Sequence, residues 1–201
     1  MTDVFISYSR KDKPFLQRLH AALAAQGRDI WVDWEDIPAT ADWWKEIESG
    51  IEATDTFLFA MTPDSLASPM CMMEVAHAIR HNKRVIPVVH RLGDEKVAFA
   101  ALVERELDQD TTTRLAGRSI TDLATENWRT LSRHNWLMFR DEDNFDESFN
   151  KLAEAIETDL SHVKEHTRLL IRAREWDAKN RNPSLLLNGT EIAAAEAWLS
   201  A

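Results

Sequence analysis

Residues 56–89 read TFLFAMTPDSLASPMCMMEVAHAIRHNKRVIPVV, and they decide the fold. The runs TFLFAMT (56–62) and RVIPVV (84–89) are short and rich in β-branched and aromatic residues, which is typical of buried strands. Between them, SPMCMMEVAHAIRH (68–81) has the apolar spacing of an amphipathic helix. A strand, a helix and a second strand of these lengths predict a βαβ unit with parallel strands.

The same alternation continues on both sides of this unit. Three further strands are predicted: DVFISY (3–8), RDIWVDW (28–34) and NWLMF (135–139). A helix is predicted after the first strand, with Leu16, Leu19 and Leu23 on one apolar face. Ser9 or Asp12 is the candidate cap at its start, and Gly27 marks its end. We therefore predict an α/β fold whose five-stranded parallel sheet is doubly wound and covered by helices on both faces.

Two more amphipathic helices complete this part of the chain. WWKEIESGIEA (43–53) has Asp42 as a candidate N-cap, and FDESFNKLAEAIETDL (145–160) has Phe145, Phe149, Leu152 and Ile156 on one face. In the helix at 43–53, the apolar face formed by Trp44, Ile47 and Ile51 is expected to point into the core. The acidic face is expected to point to solvent and consists of Glu46, Glu48 and Glu52. For residues 91–134 the mixed composition predicts only helices and loops.

The last 40 residues have a different pattern. SHVKEHTRLLIRAREWDAKNRN (161–182) predicts a helix with a broken polar face, and EIAAAEAWL (191–199) predicts a short final helix. Because no strand is predicted after residue 139, we expect a domain at 1–160. Residues 161–201 are then a helical extension or a linker to a further module.

Composition restricts the classes of partner and compartment. The net charge is −10, from 24 Lys and Arg against 34 Asp and Glu, so a nucleic-acid backbone would be repelled. One cysteine in 201 residues permits no intrachain disulfide and fits a reducing compartment. The first residues do not resemble a signal peptide, and no apolar run is long enough to span a bilayer. We expect a cytoplasmic protein with no nucleic-acid or membrane partner.

Five segments together resemble a Toll/interleukin-1 receptor (TIR) domain over about 140 residues. They are DVFISYSRKD (3–12), WVDWEDIP (31–38), the tryptophan-containing helix after it, SPMCMMEVAHA (68–78) and RVIPVV (84–89), in the order and approximate spacing of that family. The resemblance implies a flavodoxin-like fold. Ligands of such sheets bind at the carboxyl ends of the strands, near the topological switch point.

The resemblance leaves two classes of function open. Some TIR domains are enzymes that cleave NAD+ at the nicotinamide–ribose bond, and others are noncatalytic adaptors that recruit further TIR domains. The first class implies an NAD+ nucleosidase of a bacterial defence or signalling system, which releases nicotinamide and ADP-ribose or a cyclic isomer. Self-assembly through TIR–TIR contacts is implied in both classes, with a sensor module or partner protein as a further partner. NAD+ would be a substrate, and no cofactor is expected.

The resemblance assigns the catalytic role to Glu74, and the chemistry explains why one carboxylate is enough. Ordinary glycoside hydrolysis uses two carboxyl groups, because the leaving alkoxide needs a proton. The nicotinamide of NAD+ is cationic and departs neutral, so a single anion can stabilise the charge that develops on the ribose. A preorganised group of this kind contributes about 3–4 kcal/mol.

The remaining assignments from the resemblance concern substrate binding. Cys71 matches the cysteine commonly found three residues before the glutamate, and Met70 stands where many enzymatic members have a tryptophan near the nicotinamide. The other positions are Tyr8, Ser9, Arg10 and Lys11 at the dinucleotide site, Trp34 or Trp44 as a base-stacking residue, and Glu35, Asp36, Ile37 and Pro38 in the gating loop that contacts a neighbouring subunit. Arg10 and Lys11 are candidates for pairing with the pyrophosphate.

Simpler structural roles remain open for several of these residues. Glu74 is also compatible with the polar edge of its helix, Cys71 with a buried and inert core position, and the tryptophans at 31–44 with a packed core corner or a protein interface. His77 and His81 have a spacing that can bind metal, and HVKEH (162–166) fits H-x-x-E-H. Such spacings are more often coincidental, and we expect no metal site.

Overall fold

The computed structural model of the chain describes residues 2–32, 43–91 and 93–200. The strands are β1 (Val4–Ser7), β2 (Ile30–Trp31), β3 (Thr56–Met61), β4 (Arg84–Val89) and β5 (Leu137–Met138). The helices are α1 (Lys13–Ala25), α2 (Trp43–Ala53), α3 (Pro63–Leu66), α4 (Pro69–Arg80), α5 (Glu95–Val103), α6 (Gln109–Arg114), α7 (Ile120–Leu131), α8 (Phe145–Glu157), α9 (Leu160–Ala178) and α10 (Gly189–Leu199). Short 3-10 turns lie at Arg10–Asp12 and Pro183–Leu185.

The five strands form one sheet in the order β2-β1-β3-β4-β5, and every pair of neighbours is parallel. This order confirms the predicted flavodoxin-like, doubly wound α/β fold. The chain moves from β1 to β2 in one direction and from β3 to β4 to β5 in the other, so the direction reverses between β1 and β3. In an open parallel sheet, the crevice outside the carboxyl ends of two such strands is where ligands bind.

Each face of the sheet has its own core. Successive side chains of a strand point to opposite faces, so Phe5 and Phe57 pack with α2 and α4, whereas Ile6 and Leu58 pack with α1 and α8. The predicted apolar faces are buried on both sides: Leu16, Leu19, Leu23, Trp44, Ile47, Ile51, Phe149, Leu152 and Ile156. Helices on both faces cover β3 and β4, which explains why these strands are almost continuously apolar.

The two edge strands are shorter than the sequence predicts. Of residues 28–32, the described part of the predicted 28–34, β2 covers only Ile30–Trp31, and β5 covers only Leu137–Met138 of the predicted 135–139. An edge strand has one neighbour, and β1 and β4 provide parallel partners for just these residues. Residues 33–42, which include the predicted N-cap Asp42, lie outside the described part of the chain.

One predicted orientation is wrong. Glu46 is exposed, but Glu52 is buried and its Oε1 atom lies 3.0 Å from His77 Nε2 on α4. The reason is the packing of α2 against α4: position 52 is at the edge of the apolar stripe, where a polar partner on the facing helix compensates for the loss of water.

The extension consists of helices, and α9 packs against α2. A buried polar group anchors it: Thr167 Oγ1 lies 3.2 Å from the Thr54 carbonyl oxygen and accepts a 3.1 Å hydrogen bond from Lys83 Nζ. The Trp198 indole of α10 donates a 2.9 Å hydrogen bond to the His162 carbonyl oxygen. None of the helices among the described residues combines the length and apolar character required to cross a membrane.

Candidate functional site

The buried carboxylate of Glu74 lies at the carboxyl end of β1. Ser7, the last residue of that strand, donates a 2.5 Å hydrogen bond from Oγ to Glu74 Oε2. Glu74 is only 6% exposed, and Ser7 is also buried. This distance is in the range of charge-assisted O–H···O⁻ hydrogen bonds, so the serine fixes one carboxylate oxygen and leaves the orientation of the group well defined.

The start of α4 holds this carboxylate in place. Ser68 is the N-cap and accepts a hydrogen bond from the Cys71 backbone N–H, and Pro69 occupies the first helical turn. Three residues before Glu74, the Cys71 thiol donates to the Tyr8 carbonyl oxygen at 3.3 Å. Two side-chain contacts, from Ser7 and from Cys71, therefore connect the end of β1 to α4.

Cys71 is 2% exposed, and its burial raises the pKa of the thiol to about 12, with a smaller contribution from the negative charge of Glu74. The structure therefore agrees with the buried-core alternative for this residue. A thiol in this state is a poor nucleophile, because the thiolate is the reactive species.

We expect Cys71 to resist alkylation in the folded protein. At pH 8 a thiol with this pKa is ionised in only about one molecule in ten thousand. Iodoacetamide labelling, followed by mass spectrometry, should therefore be slow in the native protein and fast in guanidinium chloride. Equal labelling rates in both states would show that Cys71 is accessible and ionised.

A network of charges surrounds the loop after β1. Lys11 Nζ lies 2.7 Å from Asp64 Oδ1, and Arg91 contacts both Asp64, at 2.9 Å, and the buried Asp12. Thr62, which follows β3, donates a 2.7 Å hydrogen bond to Asp12. The hydrogen bond from Lys11 is the largest cause of a lowered pKa at Asp64, so this carboxylate is ionised at neutral pH.

This network connects the ends of β1, β3 and β4, and the sequence analysis did not identify it. Asp12, Thr62 and Arg91 each follow a strand within a few residues, and polar residues in these positions converge at one edge of a parallel sheet. That spacing was the available signal. Of the predicted site residues, Lys11 belongs to the network, Arg10 is exposed beside it, and Tyr8 and Ser9 are half-buried.

The structure places Trp44 away from an exposed ligand surface. It is 4% exposed, packs in the core and contacts Trp43 edge to face at 6.0 Å, which is the packed-core alternative. Met70 is half-buried and packs against the same core. The remaining predicted residues, Trp34, Glu35, Asp36, Ile37 and Pro38, lie outside the described part of the chain.

The parallel strand order β2-β1-β3-β4-β5, with a polar site at the carboxyl ends of β1 and β3, defines a flavodoxin-like α/β domain. Residues 4–153 match the family model described as TIR domain. The chain therefore belongs to the TIR domain family.

Two solved structures illustrate the similarity. One contains the TIR domains of the activated Roq1 resistosome that directly recognises the pathogen effector XopQ: the identity is 15%, the TM-score is 0.59, and the match covers 77% of this chain and 98% of that chain. The other is the TIR domain of the Toll-related receptor TRR-2 from Hydra magnipapillata, with 19% identity, a TM-score of 0.43, and 66% and 97% coverage. At these identities the first likeness shows a shared fold. No curated protein matches the sequence.

Proposed function

We propose that this TIR domain is an NAD+ glycohydrolase that cleaves the nicotinamide–ribose bond after self-assembly, in a bacterial defence or signalling system in the cytoplasm. One observation carries the proposal: the carboxylate of Glu74 is buried, oriented by Ser7, and located at the switch-point edge of the sheet. Burial of a carboxylate costs stability, so such a group at a ligand-binding edge is a candidate functional site.

The proposed reaction needs no acid to protonate the leaving group. The C1′–N bond to the cationic nicotinamide breaks, its electron pair goes to the ring nitrogen, and the nicotinamide leaves neutral. Positive charge builds on the ribose, where the Glu74 carboxylate stabilises it and accepts a hydrogen bond from a ribose hydroxyl. Water then bonds to C1′ and loses a proton, or a nucleophilic nitrogen of the adenine attacks to form a cyclic isomer.

The low polarity around Glu74 strengthens this interaction. Cys71 and Met73 are buried next to it on α4, and an ion interacts more strongly with a developing cation where the effective dielectric constant is low. The hydroxyl of Ser7 acts as a positioning group, because its hydrogen bond to Glu74 Oε2 fixes the orientation of the carboxylate. Met70 would contact the nicotinamide at the outer end of the site.

The charges after β1 are suited to the pyrophosphate. The Lys11 side chain is 68% exposed and pairs with Asp64, so its ammonium group could exchange this partner for a phosphate oxygen. Arg10, which is exposed next to it, would supply a second cation. Tyr8 and Ser9 would line the ribose side.

Nicotinamide release tests the proposal. The full chain, concentrated or in a crowding agent, is incubated with NAD+, and the products are separated by chromatography. Wild-type protein should release nicotinamide, and Glu74→Ala should release none above background. Glu104→Ala, which removes an exposed carboxylate of the loop after α5, is the matched control and should retain full activity. Equal activity in the Glu74 and Glu104 variants would remove Glu74 from the mechanism.

A noncatalytic adaptor is the second candidate, because the Ser7–Glu74 hydrogen bond is also compatible with a structural role for this carboxylate. A carboxylate that is 6% exposed and hydrogen bonded to Ser7 is also stable without any substrate. An adaptor needs only TIR–TIR surfaces. Assembly in light scattering without nicotinamide release, under the same conditions, would support this function and contradict the first.

A further inference from the structure

A second polar cluster lies between α2 and α4. Glu52 Oε1 is 3.0 Å from His77 Nε2 and 3.7 Å from His81 Nε2, and the two imidazole rings are 4.4 Å apart. One ligand atom from each of these three side chains lies within 4.8 Å of the others. The proposed NAD+ chemistry uses none of them.

The cluster results from the way the two helices face each other. Glu48 and Glu52 are four residues apart on α2, and His77 and His81 are four residues apart on α4 and its C-cap. Residues with this spacing lie on one face of a helix. Since α2 packs on α4, the two pairs meet, and Glu48 Oε1 lies 3.6 Å from His77 Nδ1.

The hydrogen-bonding capacity of His77 does not match its surroundings. Its two ring nitrogens face the carboxylates of Glu52 and Glu48. A neutral imidazole has one N–H, so it can donate to only one of them, and a lone pair then faces the other carboxylate. A metal ion bound to the lone pair and to the carboxylate would satisfy both groups.

We propose that Glu52, His77 and His81 bind a zinc ion, with water as the fourth ligand and Glu48 as the partner that orients His77. Nitrogen and oxygen ligands at about 2.0–2.1 Å from a tetrahedral zinc ion are about 3.3 Å apart, close to the separations around Glu52 Oε1. Two imidazoles and one carboxylate form a common zinc ligand set. A carboxylate that accepts the second N–H of a zinc-bound histidine is likewise the usual arrangement.

One cation already contacts the proposed site. Arg174 Nη2 of α9 lies 2.8 Å from Glu52 Oε1, and its side chain is 51% exposed. Zinc would take this oxygen, and the arginine would turn towards solvent or to the other carboxylate oxygen. The metal would thus join α2 to α4 and compete with an ion pair that joins α2 to the C-terminal extension.

Metal titration of the full chain tests the site. After treatment with EDTA and dialysis, zinc binding is measured by isothermal titration calorimetry, and cobalt(II) is used to detect tetrahedral coordination from its visible absorption. We expect one ion per chain. His81→Gln and Glu52→Gln should each weaken binding by about tenfold or more, and Glu48→Gln by about tenfold, as is typical for groups that orient a ligand. Arg174→Ala should tighten binding, because a competing positive charge is removed.

Two control variants separate this site from other histidines and acids of the chain. His134→Gln and Glu46→Gln alter exposed residues and should leave the affinity unchanged. Circular dichroism of each variant shows whether it is folded. Because His81 is only half-buried, His81→Gln should disturb the packing less than a substitution of the buried Glu52 or His77. Equal zinc affinity in wild type, His81→Gln and Glu52→Gln would overturn the proposal, as would the absence of binding to the wild-type chain. If His162→Gln lost zinc binding and the variants at 52 and 81 did not, the ion would bind on α9, and the proposal would be overturned.

Discussion

Replacing Glu74 with glutamine is expected to lower the rate of nicotinamide release by about two to three orders of magnitude, as is typical for loss of one preorganised electrostatic group. Glutamine has nearly the same shape and can still accept the hydrogen bond that Ser7 now donates at 2.5 Å. The substitution therefore removes the negative charge and preserves the packing. The expected effect is on kcat, because the anion interacts most strongly with a charge that exists only in the transition state.

The kinetic pattern distinguishes this role from a structural one. Ser7→Ala should cause a smaller loss of kcat, about tenfold, because the carboxylate remains and only its orientation is relaxed. A hydrogen bond from a neutral hydroxyl to a charged group contributes about 1.5–3 kcal/mol at most. Thermal unfolding of Glu74→Gln should show a melting temperature equal to or above that of wild type, because a buried charge has been removed. A rise in KM with unchanged kcat would assign Glu74 to ground-state binding and contradict the mechanism.

Replacing Lys83 with alanine is expected to reduce the free energy of unfolding by about 1–3 kcal/mol, as is typical when buried acceptors lose their hydrogen-bond donor. Lys83 is buried, and its ammonium group donates to the Glu52 carbonyl oxygen at 3.0 Å and to Thr167 Oγ1 at 3.1 Å. Its charge also favours the ionised form of the buried Asp55, after larger contributions from Thr167 and Lys164.

A double-mutant cycle measures the coupling between Lys83 and Asp55. Burial lowers the pKa of Lys83 to about 8 and raises the pKa of Asp55, and each charge acts on the other in the opposite direction. Denaturant unfolding of Lys83→Met, Asp55→Asn and the double variant should therefore give a coupling energy of about 0.5 kcal/mol or more, in the range found for residues of one hydrogen-bond network, here joined through Thr167. Lys96→Ala, an exposed control, should change stability by less than about 0.5 kcal/mol. A loss below 1 kcal/mol for Lys83→Ala would show that the buried group contributes little.

Local patterns in the chain were sufficient for the central elements of the fold. β3, α4 and β4 were predicted almost to the residue, because both faces of these strands are buried and their apolar runs are therefore uninterrupted. Within the described residues, the lengths of the two edge strands were overestimated. β-branched and aromatic composition predicts a preference for extended structure, whereas the length of a strand depends on the neighbour with which it forms hydrogen bonds, and that neighbour is distant in sequence.

The same distinction applies to the polar residues. The helical period placed Glu52 outside with Glu46 and Glu48, but a period describes one helix and contains no information about the helix that packs on it. The contact of Glu52 with His77 arises only when α2 and α4 meet. The network of Asp12, Thr62 and Arg91 was missed for the same reason, because its members come from three separate strand ends.

The sequence by itself determined the α/β class, and the family resemblance implied the flavodoxin-like fold and the candidate role of Glu74, since these depend on periodicity and on motifs within short segments. Only the tertiary structure decided that Ser7 binds this carboxylate, that Cys71 is a buried thiol, and that Glu52 meets two histidines. The physical reason is that hydrogen bonds and pKa values depend on distances of a few ångströms between residues that are 67 positions apart in one case and 25 in another. Such distances exist only after the helices have packed on the sheet.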